Sequence, residues 1–297
     1  MIDLRTLETF YVVAQVGGFH RAAEKLHTTQ PAVSARIIQL EHALKAKLFD
    51  RDNRGSHLTA KGRELMVYAE RMMNLRTEML LAMSGPSALG GTVQLGVSET
   101  IVHTWLSELL KRLHNEYPAV TLEINVDTSS NLASALENGS IDVALLLGPV
   151  TSAKAQNLPL CSYPICWVAH SDLDLGDDPV SLESLAAYPI LTYARSSRPY
   201  WQLADLFQKA HLKGVRFFAN SSLSSIVRMT RDGIGIAAIP SETVADQIAS
   251  GELRLIETGD DMPTMSFTAS YFVQPDRPLN AVLAELAQEV AMQSPNC

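Results

Sequence analysis

The chain has 297 residues, enough for about two domains with cores of their own, and it carries a formal net charge of −8. That acidic total excludes a protein coated by nucleic acid, yet the charge is unevenly divided. Residues 1–84 hold 12 Lys+Arg against 9 Asp+Glu, a balance of +3, and the remainder holds 12 against 23, a balance of −11. DNA contact is therefore expected only at the N-terminus, and so weak a balance needs clustered Arg and a second copy to reach useful affinity. Three cysteines (Cys161, Cys166, Cys297) show no metal or Cys-x-x-Cys spacing and read as free thiols in a reducing compartment. The sequence opens with neither a basic leader nor an unbroken apolar run, and no stretch approaches the ~18 apolar residues of a spanning helix. A soluble, cytoplasmic protein without a membrane partner is expected.

Leu4, Leu7, Phe10, Tyr11 and Ala14 recur at helical spacing and predict a first helix ending near Gly17 and Gly18. A second helix runs from Phe19 to Leu26, and His27, Thr28 and Thr29 form a turn. Thr28 or Thr29 caps a third helix, which tolerates Pro31 in its first turn. On that helix Val33, Ile37, Leu40 and Leu44 share the inner face, leaving Pro31, Ser34, Ala35, Ile38 and Gln39 outside. Small and apolar residues there, with Gln30 at the start, suit close approach to base edges and thymine methyls. The next segment, Leu48 to Gly62, predicts two short extended pieces around a turn at residues 52–55. Arg51 and Arg54 would project from this wing toward phosphates or the minor groove. An ordinary helical hairpin with solvated loop charges is the plainer alternative.

From residue 59 to 83 there is no Pro and only one Gly, Gly62. Leu65, Tyr68, Met72, Leu75, Met79 and Ala82 alternate spacings of three and four, the seam of a coiled coil. Packing of this helix on the protein's own body is the alternative. The helix stops at a hinge rich in Gly and Pro, residues 85–91.

Beyond the hinge, strand-like and helix-like segments alternate. Strands are predicted at Thr92 to Val97, Val120 to Val126, Ile141 to Leu147, near Ile190, at Val215 to Phe218 and at Ile236 to Ile239. Helices are predicted at Trp105 to His114, Asn131 to Glu137, near Leu203 and at Leu223 to Met229. A last strand, Ser266 to Val273, and helix, Leu279 to Met292, are placed back in the first of two lobes. Such alternation predicts an open α/β sheet with ligands beyond the carboxyl ends of its strands. Four polar loops fall at those ends: Ser98, Glu99 and Thr100; Ser129 and Ser130; Ser196, Ser197 and Arg198; Asn220, Ser221 and Ser222. Free N–H groups at helix starts suit an anionic group, with Arg195 or Arg198 as a partner, although each Ser also serves as a simple cap. Glu99 argues against a bare anion close by unless it recognises a hydroxyl or amine. His103 and Trp105 read as packing residues.

The run Gln30-Pro31-Ala32-Val33-Ser34, then Leu40-Glu41, Leu48-Phe49, Arg51, Arg54-Gly55 and Leu58-Thr59 resembles the winged helix-turn-helix of LysR-type transcriptional regulators. The likeness is close over residues 1–84, and the order of elements beyond agrees with the family. It implies a multidomain α+β chain: a winged helix-turn-helix (1–58), a linker helix for dimerisation (59–84), a hinge (85–91) and a two-lobed α/β effector domain (92–297) resembling periplasmic binding proteins. It also implies double-stranded promoter DNA as partner, a homodimer or tetramer, contact with RNA polymerase, and a small effector, anionic or aromatic, in the cleft. DNA contacts are then expected from Thr28, Gln30, Pro31, Ser34, Ala35, Arg36, Ile38, Arg51 and Arg54. Effector contacts are expected from Ser98, Glu99, Thr100, Ser129, Ser130, Ser197, Arg198, Asn220 and Ser221. The chain departs from the pattern twice. Ala35 stands where the family often has a base-reading Arg, shifting recognition to Gln30, Ser34 or Arg36, and Lys45 replaces a frequent Gly.

Two motifs mimic other chemistry. Residues 233–238 fit a relaxed G-x-G-x-x-A pattern, but they lead from helix to strand, the reverse of a nucleotide-binding turn. Residues 96–100 begin like a nucleophile elbow without its second Gly. The eight histidines lack zinc spacing. No enzyme, cofactor or metal is expected. A solute-binding protein accounts for the second half but not for residues 4–59, and a hydrolase or dehydrogenase lacks a catalytic dyad.

Overall fold

Asp3 begins the first helix by accepting the Thr6 N–H at 2.7 Å. The computed structural model describes residues 3–52, 55–84, 89–176, 179–274 and 277–294. They fall into two compact units, 1–85 and 86–297. In the first unit α1 (Leu4–Val16) ends at Gly17, whose φ of 68° is left-handed. Next come α2 (Phe19–Lys25) and α3 (Gln30–Leu44), the latter closed by Lys45 at φ 51°, an unusual left-handed lysine. Phe10, Val13, Ala22, Val33, Ile37 and Leu40 are all buried among these helices. Burying a large apolar side chain stabilises by about 1.5–3 kcal/mol, so this inner face selects the helix pairing.

An antiparallel hairpin follows, β1 (Phe49–Asp52) with β2 (Gly55–Leu58), registered Phe49 to Leu58. Then α4 (Ala60–Ser84) begins where Thr59 donates its hydroxyl to the Lys47 carbonyl and accepts the Gly62 N–H. A Cβ at position 62 would overlap the Leu48 carbonyl oxygen, so this close approach requires glycine.

The second unit opens with β3 (Gly91–Val97), α5 (Glu99–Val102), α6 (Leu106–Glu116), β4 (Val120–Val126), α7 (Ser129–Glu137), β5 (Val143–Leu147) and β6 (Ala155–Pro164). It continues with β7 (Cys166–His170), α8 (Leu182–Ala186), β8 (Ile190–Tyr193), α9 (Arg198–Lys209), β9 (Phe217–Asn220) and α10 (Leu223–Arg231). After these come β10 (Ile236–Ile239), a short 3-10 turn (Ser241–Val244), α11 (Ala245–Ala249), β11 (Leu253–Ile256), β12 (Thr264–Phe272) and α12 (Leu279–Gln293). One sheet has the order β4-β3-β5-β12-β6 and the other β11-β7-β10-β8-β9. Each sheet centres one lobe. Within them β4, β3 and β5 run parallel, as do β10, β8 and β9. β12 returns to the first lobe, antiparallel to both β5 and β6. The two crossings lie side by side, where the Ile165 N–H donates to the Pro263 carbonyl at 2.9 Å.

Most predicted elements are present, two of them shifted, whereas α5, β6, β7, α8, α11 and β11 lie outside the predicted segments. The strand expected at Val215 to Phe218 is displaced to Phe217–Asn220, and that expected from Ile141 begins at Val143. Pro159 and Pro164 interrupt the pattern of β6, which among the described residues pairs with β12 alone, and an edge strand tolerates proline. The Gly233 and Gly235 segment does turn from α10 into β10.

Candidate functional site

On the first unit, Gln30, Pro31, Ala35 and Ile38 are exposed along α3, while Thr28 and Ser34 are half-buried. Ile38 is 57% exposed, a large apolar side chain held in water on the face expected to meet DNA. Arg36 departs from expectation. It is half-buried, and its Nη1 lies 3.4 Å from Thr9 Oγ1 on α1, so it leans on the module's own body. Arg51 lies on β1 opposite Ser56; Arg54 lies outside the described residues. Glu41 carries a role that the motif alone did not reveal: its Oε1 accepts the N–H groups of Leu48 and Phe49, fastening the hairpin to α3.

On α4, Tyr68, Met72, Leu75 and Met79 are exposed by 57, 46, 64 and 55%. Their 4, 3, 4 spacing makes one apolar stripe, which is the seam geometry. Leu65 corrects the expectation, since it is half-buried against the first unit's core, as Ala69 and Met73 are buried there. The helix thus divides its apolar residues between its own module and an open stripe. The Ala82 side chain, hinge residues 85–88 and Cys297 lie outside the described set. Cys166 carries a free thiol and Cys161 is buried.

In the second unit a cavity of ≈ 250 Å³ opens between the lobes, at the carboxyl ends of β3, β5, β8 and β9. All nine residues expected to contact an effector line it: Ser98, Glu99, Thr100, Ser129, Ser130, Ser197, Arg198, Asn220 and Ser221. Parallel strands deliver their polar ends to one place, and this explains how loops so distant in sequence converge. The apolar wall was not foreseen. Leu147, Tyr193, Leu223, Met265 and Phe267 provide it, and the last two arrive on β12 from the far end of the chain. Asp127 and Thr128 also line the cavity, and their position just before a helix was a capping signal in the sequence.

The polar groups are mostly committed. Asp127 accepts the Thr128 N–H at 2.7 Å and Asn131 Nδ2 at 2.8 Å, at the start of α7. Ser129 Oγ accepts the Leu147 N–H at 2.9 Å. Ser197 caps α9, and Arg198 Nη1 lies 3.4 Å from the Gly148 carbonyl in the other lobe. Glu99 is the most heavily bonded. Its carboxylate accepts the backbone N–H groups of Leu223 and Ser224 and the hydroxyls of Ser222 and Ser224, all at the start of α10 in the opposite lobe. Burial would raise the Glu99 carboxyl, but the Ser224 side chain and the N–H groups of Ser224 and Leu223 outweigh it and hold the group below its ordinary value. Across the same gap Thr100 Oγ1 lies 3.5 Å from Tyr193 Oη, whose phenol burial pushes upward. Ser98, only 6% exposed, has a hydroxyl with no hydrogen-bond partner among the described residues. His103 and Trp105 stay outside the cavity: His103 Nε2 meets Ser224 Oγ at 3.1 Å, and Trp105 is buried.

A helix-turn-helix unit joined to a two-lobed unit with an inter-lobe cavity defines a regulator class. Residues 4–63 match the family described as "Bacterial regulatory helix-turn-helix protein, lysR family", and residues 86–294 match "LysR substrate binding domain". The chain belongs to the LysR family of transcriptional regulators. It is 26% identical over 300 residues to a "Probable RuBisCO transcriptional regulator" of Nostoc sp., covering 98% of this chain and 88% of that one. In fold it is similar to full-length LysG of Corynebacterium glutamicum with bound effector Arg, at 19% identity, TM-score 0.61 and full coverage of both chains. It is similar as well to full-length CbnR complexed with its target DNA, at 18% identity and TM-score 0.55, covering 98% of this chain and 100% of that one. The relatives it matches are transcriptional regulators, which favours that reading of the second unit over a solute carrier or an enzyme. Among the described residues no helix is long and apolar enough to cross a membrane.

Proposed function

We propose that this protein regulates transcription by binding promoter DNA as a homo-oligomer, and that a small metabolite in its inter-lobe cavity sets the regulatory outcome. The observation that carries this is the convergence of four polar loops and an apolar wall on one open-mouthed cavity between lobes that the chain crosses twice. A ligand that binds one lobe arrangement better than another shifts their population by its difference in affinity. The altered lobe geometry re-spaces the DNA-binding units or their contact with RNA polymerase. The open stripe on α4 supports dimerisation, and two modules supply the phosphate contacts that a balance of +3 does not. A tetramer built from two such dimers extends the same reading, in the cytoplasm and with no cofactor or metal.

The test is fluorescence anisotropy against duplex DNA from upstream of the protein's own gene, at fixed salt with nonspecific competitor. Competitor-resistant binding that is lost in the Ser34→Ala, Arg54→Ala double variant, and that shifts on addition of a metabolite, supports the proposal. Affinity for its own and neighbouring promoters no greater than for random duplexes, with no metabolite response, refutes it.

A further inference from the structure

Helix starts offer free N–H groups and a positive dipole end, and a carboxylate is their natural partner. Beside the cavity, whose lining includes Glu99 and Leu223, the start of α10 gathers four donors: the N–H groups of Leu223 and Ser224 and the hydroxyls of Ser222 and Ser224. Glu99 fills all of them. Its own backbone belongs to the opposite lobe, directly after β3. The protein therefore carries, on a tether, the anion that this end of the cavity would otherwise draw from solution. At the start of α7, Asp127 does the same for the Thr128 N–H and Asn131. The lining thus holds two carboxylates against the guanidinium of Arg198, and both carboxylates occupy donors that a bound acid would use.

A second, independent observation marks where the ligand's polar group goes. Ser98 lines the same cavity, is only 6% exposed, and its Oγ has no partner among the described residues. A buried hydroxyl without a partner has lost its hydration and gained nothing in return, so a ligand that bonds to it recovers that loss.

We infer that Glu99 determines ligand choice: by occupying the α10 start as an internal anion, it excludes free carboxylates there and selects a compact, apolar-bodied ligand with a hydroxyl, amide or amine head. This deepens the reading of the cavity as an effector site and rests on it for its consequence, but occupancy of α10 by Glu99 is testable without any effector. The same bonds tie the two lobes together, so replacing them with an external anion removes four hydrogen bonds between the lobes.

The experiment is anion rescue in the full-length protein. Wild type, Glu99→Ala and Glu99→Gln are melted at neutral pH and constant ionic strength while sodium acetate replaces sodium chloride. Glu99→Ala vacates the site, and acetate should raise its Tm saturably by about 2–4 °C. Wild type, with its own carboxylate in place, and Glu99→Gln, with the space still filled, should stay flat. A saturable rise in wild type, a parallel rise in all three proteins, or no rise in Glu99→Ala overturns the inference. If Glu99→Ala does not fold, Glu99→Ser vacates the site with a smaller loss of polar contact and carries the same expectations. Failure here leaves the DNA and metabolite responses untouched, whereas failure of those responses leaves acetate rescue readable.

Discussion

Glu41 and Leu48 are joined by a hydrogen bond across the corner between helix and wing: the Leu48 N–H donates to Glu41 Oε1 at 2.7 Å. Phe49 donates to the same oxygen at 3.3 Å, and Lys47 Nζ lies 3.4 Å from Oε2. Because the Glu41 side chain is only 12% exposed, its bonds are poorly replaced by water. Glu41→Ala should destabilise the protein by about 1–3 kcal/mol by stranding these donors, whereas Glu41→Gln, which keeps one acceptor oxygen, should cost less. Urea unfolding of the three proteins checks the order; equal midpoints for Ala and wild type would reject it.

Lys45 ends α3 in the left-handed region at φ 51°, ψ 36°. A residue with a Cβ is penalised there and glycine is not. Lys45→Gly should therefore stabilise the first unit, by about 0.5–1 kcal/mol once the extra freedom of glycine in the unfolded chain is subtracted. Thermal melts at matched protein concentration decide the sign, and a lower Tm would show that the lysine side chain contributes more than its backbone strain costs.

Met72 and Leu75 occupy the open stripe of α4, whereas Leu65 does not. Met72→Glu with Leu75→Glu should convert the oligomer to monomers in sedimentation velocity while the melting of the first unit changes little. DNA affinity should fall at least about tenfold, the equivalent of roughly 1.4 kcal/mol, with a shallower salt dependence as phosphate contacts are lost. Leu65→Ala should do the opposite, lowering stability by about 2–5 kcal/mol if fully packed and less at its half-buried position. Unchanged sedimentation of the double variant would remove the stripe from the dimer interface.

Acid should loosen the lobes through Glu99. Its carboxyl is held below the usual 4.5 in the folded protein, so its contribution is fully present above that value. It is lost as pH falls through the depressed folded value. Among the described residues His103 and Tyr193 are the titratable groups that face it, and His103 adds a smaller coulombic pull that favours the carboxylate. Wild type should melt above Glu99→Gln at neutral pH, with the gap closing below pH 4.5. A gap that is constant across the range would assign the stabilisation to packing rather than charge.

How much of this was legible depends on the distance over which each signal acts. Val33, Ile37 and Leu40 announce α3 because one-sided burial writes a local period, and Ser197 announces the cavity because a cap residue sits beside the helix it starts. The Leu65 seam position misled for the same reason that it was visible: spacing reports a face, not which of two partners covers it. Phe267 and Met265 gave no local sign, since their strand reaches the cavity from the opposite end of the chain. The bonds from Glu99 to Leu223, 124 positions away, are a tertiary fact. A glutamate among serines signalled only that a bare anion was unwelcome.

The return of β12 between β5 and β6 sets an order of assembly during synthesis. All five strands of the second lobe's sheet have been made once β11 has emerged. The first lobe must wait, its sheet missing an interior strand, until residue 272 leaves the ribosome. A nascent chain stalled before that point presents one finished lobe and one unpaired β5 edge. Premature stop codons late in the gene should therefore yield insoluble protein rather than a slightly shortened regulator.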